Sequence, residues 1–127
     1  MTTQERIERA YRLADIEIVA GRPLSAGEAW DAALEDLVVE DSLSWAILSL
    51  ALLDEGGGTL GRWEVFADDG GEIDRILLDS DTYANRNDQY QWVTGAWPAS
   101  AYLDGTASEL LLLMCAADEL SRREVQS

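Results

Sequence analysis

Apolar residues recur at Ile7, Ala10, Tyr11, Ala14 and Ile18, an i, i+3, i+4, i+7, i+11 series. That spacing keeps one face of a 3.6-residue period apolar and predicts an amphipathic helix over 3–20. Thr2 or Thr3 can cap its start, and Gly21-Arg22-Pro23 stops it, because glycine accepts a left-handed turn and proline cannot extend a helix. Leu13 and Ile16 lie off the stripe and offer a second contact surface. Ser25 and Glu28 fit an S-x-x-E capping box opening a second helix that runs through Glu40, with Trp30, Ala33, Leu34, Leu37 and Val38 as its apolar stripe. The run "SLSWAILSLALLDEGGG", 42–58, is apolar nearly all round and ends in glycines. A helix of that kind is buried or lies in an interface.

Downstream the period changes. "RWEVFAD" alternates, and with "EIDRILLD" it flanks the turn sequence "DDGG", which predicts a β-hairpin over 62–67 and 72–79. Ile73, Ile76 and Leu77 also match a helical spacing, so 72–79 is readable either as strand or as helix. "YQWVTGA", 90–96, supplies one more strand. Thr106 and Glu109 form a second S/T-x-x-E box opening "ELLLLMCAADELSRR", a largely buried last helix whose Arg122 and Arg123 suit the negative end of its dipole. The predicted class is α+β: three N-terminal helices, a small antiparallel sheet of a hairpin plus one strand, and a C-terminal buried helix. With 127 residues and no repeat or linker, residues 1–127 read as one domain.

Charge changes this picture. Nine arginines face 25 acids with no lysine and no histidine, a formal charge of −16. An apolar fraction of 47% nevertheless places the chain outside the disordered class. The charge is uneven. Residues 1–24 carry four acids and four arginines, residues 25–81 fifteen acids and two arginines, and residues 82–127 six acids and three arginines. A genome-wide acidic bias, as in a halophile, would spread the charge more evenly. On the second helix Glu28, Asp31 and Glu35 fall within roughly a 60° wedge opposite the apolar stripe, since each residue advances about 100°. Asp36, Glu40 and Asp41 continue the acidic surface, and Asp54, Glu55, Asp68, Asp69, Glu72 and Asp74 make a second cluster.

Missing residue types exclude chemistry. Without histidine or lysine the chain holds no Ser-His-Asp or Cys-His triad, no Schiff-base lysine, no P-loop and no histidine-ligated metal. Cys115, inside "LLLMCAAD", is expected to be packing, and a single cysteine forms no internal disulfide. "DSDTYANRND", 79–88, alternates oxygen ligands like the start of a calcium loop but lacks the glycine at its sixth position and has Tyr90 where the closing Glu belongs. Neither a metal nor a cofactor is expected, and the chain is expected not to be an enzyme. Tyr83, Tyr90, Trp92, Trp97 and Tyr102 are interleaved with one arginine, Arg86, so a basic groove for single-stranded nucleic acid is not in place. No run reaches the ~18 apolar residues of a membrane span, and "MTTQERIERA" lacks a signal-peptide core, which leads us to expect a cytoplasmic protein.

What survives is binding to a basic partner. Helical carboxylates three or four residues apart sit about 5–6 Å from each other, within a factor of two of the ~3.4 Å axial spacing of phosphates on one DNA strand. The expected function is therefore a nucleic-acid mimic: an inhibitor that covers the basic surface of a restriction nuclease, CRISPR effector or other DNA- or RNA-binding protein. In size and charge the chain resembles small phage-encoded anti-restriction and anti-CRISPR proteins, with no shared motif. One alternative is an immunity protein or antitoxin neutralising a basic toxin, with Trp92 and Trp97 as aromatic anchors. The other is a structural subunit, or a homodimer, joined through Leu13, Ile16 and 43–53. Direct contact with nucleic acid or membrane is not expected.

Overall fold

The computed structural model describes residues 2–18, 24–37 and 41–126. In chain order it holds α1 (Thr3–Leu13), α2 (Ala26–Glu35), α3 (Ser42–Ala51), β1 (Gly57–Leu60), β2 (Trp63–Ala67), β3 (Ile73–Leu77), β4 (Tyr83–Arg86), β5 (Trp92–Thr94), α4 (Ala99–Leu103) and α5 (Thr106–Gln126). The α+β class is as expected. The sheet is larger than a hairpin plus one strand: five antiparallel strands in the order β1-β2-β3-β4-β5, an uninterrupted meander.

α1 and α2 obey their N-terminal capping signals, and the first three helices are shorter than expected. Thr2 caps α1 by accepting the Glu5 N–H, and Ser25 caps α2 by accepting the Glu28 N–H. α1 stops at Leu13, well before the expected end at residue 20. The Ile16 N–H returns to the Tyr11 carbonyl and the Asp15 N–H to the Arg12 carbonyl, with Asp15 at φ 60°. That is a Schellman closure in which aspartate, which tolerates left-handed backbone, stands where glycine is usual. The expected stop at 21–23 lies outside the described residues, and α2 ends at Glu35, short of the expected Glu40, with the Asp36 N–H on the Ala32 carbonyl closing its last turn. The third helix ends at Ala51, not at 58. Gly57 of its glycine run begins β1 instead, at φ +109°, where a Cβ would stand 2.0 Å from the Val65 carbonyl oxygen. Only glycine lets β1 approach β2 so closely.

A bulge resolves the ambiguity at 72–79. Phe66 pairs with Arg75 and Ala67 with Ile73, so Asp74 is an extra residue in β3. The extra residue places Ile73 and Ile76 on the same, buried face despite their i, i+3 spacing. The apparent helical period was the imprint of this bulge. Leu60, Trp63, Val65, Ile76 and Ala84 form the inner face of the sheet and join Trp30, Ile47, Leu48, Leu110 and Leu113 in one continuous core. Phe66, Arg75 and Val93 lie on the outer face and are exposed. Leu13 and most of the apolar run in α3 are also consumed by this core, which removes them as the interface expected for a structural subunit.

Three turns join β2 to β5, and each is organised by one side chain. Asp68 Oδ1 accepts the Gly70 and Glu72 N–H groups, Asp79 Oδ1 those of Asp81 and Thr82, and Asn87 Oδ1 those of Gln89 and Gln91. Asx side chains close turns in this way because they replace backbone carbonyls that the turn geometry cannot supply.

Candidate functional site

The arginines decide which acids are structural. Arg86, its side chain 10% exposed, lies over the Trp92 ring at 4.0 Å and reaches Asp118 at 2.8 Å, while the Trp92 indole N–H donates to the same carboxylate at 3.1 Å. Arg62 donates to Glu109 at 3.0 Å and to the Thr106 hydroxyl at 2.6 Å, and buried Trp63 donates its indole N–H to Glu109 at 2.9 Å. Thr106 and Glu109 therefore staple α5 to the β1–β2 turn and do not act as the capping box expected of them. The Thr106 N–H is taken instead by the Asp104 carboxylate. Arg9 pairs with Glu124, and Arg122 and Arg123 pair with Glu119. Arg6 pairs with Asp54 at 3.2 Å.

Five of these six arginines are thus bound to acids of α5. Of the acids expected to meet a partner, Asp31, Glu35, Asp41, Glu55, Asp68, Asp69, Glu72 and Asp74 have no ion pair among the described residues. Glu28 accepts from the Ser25 hydroxyl at 3.1 Å as part of the helix cap. Glu40 lies outside the described residues.

These acids form two groups. Glu28, Asp31 and Glu35 are exposed along α2, with Asp36 half-buried and Asp41 exposed just beyond it. The others gather at one end of the sheet. Gly56 accepts the Ala67 N–H at 3.1 Å, which ties the α3–β1 turn to the end of β2. Asp54, Glu55, Asp68 and Asp69 consequently line one cleft of about 650 Å³, together with Arg6, Arg9 and Glu124. Its apolar lining includes Leu50, Leu53, Ile73 and Leu120. Asp68 and Glu72, and more weakly Asp74, surround Tyr90, whose phenol lies 3.5 Å from Asp68 Oδ2. Their negative charge raises the Tyr90 pKa above its ordinary value. The α2 acids line neither this cleft nor the groove beside Tyr90.

Both of the expected aromatic anchors keep part of their surface exposed. Trp92 is half-buried under Arg86, and Trp97 is half-buried with its indole N–H on the Tyr83 carbonyl at 3.3 Å. Tyr102, tilted against Trp97 at 5.9 Å between ring centroids, and Leu103 are the exposed apolar pair, at 63% and 88%. Tyr102 stands in the aromatic series read from the sequence, whereas Leu103 and the short helix α4 that presents the pair were not legible there. Cys115 corrects another expectation: it is exposed on α5, not packed. Among the described residues no group of three or more acids or cysteines is arranged to hold a metal ion. The stretch 79–88 is the Asp79 turn and β4, and the carboxylate at its head accepts backbone N–H groups. Those N–H groups hold the Asp79 pKa below its usual value.

No protein-family model, curated protein or solved structure matches this chain. Among the described residues no helix is long and apolar enough to cross a membrane.

Proposed function

We propose that this chain is a non-catalytic inhibitor that imitates nucleic acid: it occupies the basic surface of a DNA- or RNA-binding protein, such as a restriction nuclease or CRISPR effector, and works in the cytoplasm. The observation that carries this reading is the partition of the arginines. Five of them pair with acids of α5, and Asp31 and Glu35 of α2 and Asp68, Asp69 and Glu72 of the β2–β3 turn are left without ion pairs among the described residues. Like charges held together on a folded surface cost stability through self-repulsion, and a cationic partner relieves that cost. The exposed series Glu28, Asp31 and Glu35 supplies the row of negative charge that a basic groove would read as phosphates.

The test is capture from a host lysate on the immobilised full chain, washed at low and then high salt. At ~1 M salt the Debye length shrinks to about 3 Å, so a charge-driven complex dissociates. A nucleic-acid-handling protein that is retained at low salt, released at high salt and displaced by added DNA is the expected result. Capture of nothing, or of proteins that DNA does not displace, overturns the reading. A second reading, an immunity protein or antitoxin, is favoured by the exposed Tyr102–Leu103 pair beside Trp97. It predicts that Tyr102→Ala weakens capture more than any single acid does, since anchors concentrate binding energy.

A further inference from the structure

The two acidic groups differ in shape, and that difference identifies where a partner is gripped. The α2 acids project from the convex side of a helix. The sheet-end acids border a cleft whose lining includes Leu53, Ile73 and Leu120. Inside it, Arg6 is already held by Asp54 and the Leu52 carbonyl, and Arg9 by Glu124. Asp68 Oδ1 is committed to its turn. Glu55 and Asp69, one from each of the two turns that border the cleft, are exposed and form no ion pair or hydrogen bond among the described residues.

From this geometry we infer that the cleft receives an arginine side chain presented by the basic partner protein. An arginine matches both components at once. Its aliphatic stem packs on apolar surface while its planar guanidinium, with five donors in a fixed fork, meets carboxylates in water. Charge complementarity excludes an acidic or phosphate-bearing occupant. The inference rests on the reading of the chain as a binder of basic proteins; it adds that binding is anchored at the sheet end, with the α2 row contributing attraction at longer range.

The probe is acetyl-Gly-Arg-Gly-amide, titrated into the ¹⁵N-labelled full chain and followed by amide chemical shifts. Its control is the same peptide with neutral, isosteric citrulline in place of arginine. The expected shifts fall on Leu53–Gly57 and Asp68–Gly71, and the citrulline peptide produces none. Glu55→Gln with Asp69→Asn, two exposed isosteric changes, should weaken the arginine peptide by about tenfold, while Asp31→Asn with Glu35→Gln, the same change in charge, stays within about twofold. Equal weakening by both doubles, shifts centred on α2, no shifts at all, or displacement of the peptide by magnesium ions each overturn the inference. The two readings fail separately. Lysate capture that survives the cleft double variant removes the anchor and leaves the mimic; peptide entry into the cleft without DNA-displaceable capture does the reverse.

Discussion

Acids of α5 and acids of residues 25–81 carry the same charge and do different work. Asp118 receives the Arg86 guanidinium and the Trp92 indole N–H, and Glu109 receives Arg62 and Trp63. These carboxylates tie a helix to a sheet. Asp31 and Glu35 of α2 form no ion pair or hydrogen bond among the described residues. Acidic composition alone does not separate the two kinds; the positions of the arginines do. The sharpest way to break the comparison is Asp118→Ala. It removes the carboxylate of Arg86, only 10% exposed, leaving that guanidinium the Ile73 and Tyr90 carbonyls alone, and it takes the acceptor from the Trp92 N–H at the same time. Breaking a fully buried pair costs about 3–5 kcal/mol, and since Asp118 is itself 42% exposed we expect about 2 kcal/mol in urea denaturation. Asp31→Ala should change stability by less than about 0.5 kcal/mol. Similar losses for the two would erase the distinction.

Glu109 offers the next largest effect. Trp63 is fully buried, so removing the one acceptor of its indole N–H among the described residues leaves an unpaired donor in the core. Glu109→Ala is expected to lose about 1–2 kcal/mol, and Glu109→Gln less, because an amide oxygen still accepts. A neutral result for alanine would show that the staple between α5 and the β1–β2 turn is incidental.

Glu109 also shows what a sequence conceals. Thr106-x-x-Glu109 has the form of a capping box, and at Ser25-x-x-Glu28 the same form does mark a helix start capped by its serine. At 106–109 both side chains are diverted 44 to 47 residues back along the chain to Arg62 and Trp63. Local pattern fixes the existence of a helix and cannot see such tertiary competition. The same limit applies at 57–60, where a glycine run reads as a helix stop and is a strand because its backbone must lie close to Val65. The bulge at Asp74 disguised a strand as a helix. Net charge and its concentration in 25–81 were plain from the sequence, and so was the acidic face of α2. The cleft was not, since it exists only where the α3–β1 and β2–β3 turns meet beside α1 and α5.

A smaller effect sharpens the unpaired side of the comparison. Asp31 and Glu35 are i, i+4 neighbours, and like charges at that spacing destabilise a helix by about 0.2–0.5 kcal/mol. Asp31→Asn with Glu35→Gln should therefore raise stability by a few tenths of a kcal/mol at low salt, with the gain vanishing near 1 M salt. The same double variant should weaken salt-sensitive capture of the partner. A loss of stability in this variant would mean that the α2 carboxylates hold the helix together and are not a surface kept for binding.

The finest test uses the two ends of the pH scale. Backbone N–H groups of Asp81 and Thr82 hold the Asp79 pKa below its usual value, and the Thr106 hydroxyl and N–H do the same for Asp104. A carboxylate whose folded pKa is depressed stabilises the fold above its unfolded pKa, about 4, and loses that contribution as pH falls through the folded value. Acid unfolding should therefore steepen below about pH 4, and Asp79→Asn, which keeps an acceptor but cannot protonate, should lack its part of that slope. At the alkaline end the sign reverses. Tyr90 is held protonated by Asp68 first, then Glu72, so it contributes stability that is lost as pH rises above about 10 toward its raised folded pKa. Asp68→Asn retains the turn acceptor and removes the nearest charge, so the Tyr90 phenol, followed by its ring ¹³C shift, should titrate at lower pH. An unchanged titration would mean that the acids of the β2–β3 turn do not converge on Tyr90, and the sheet end would then be as dispersed in charge as the face of α2.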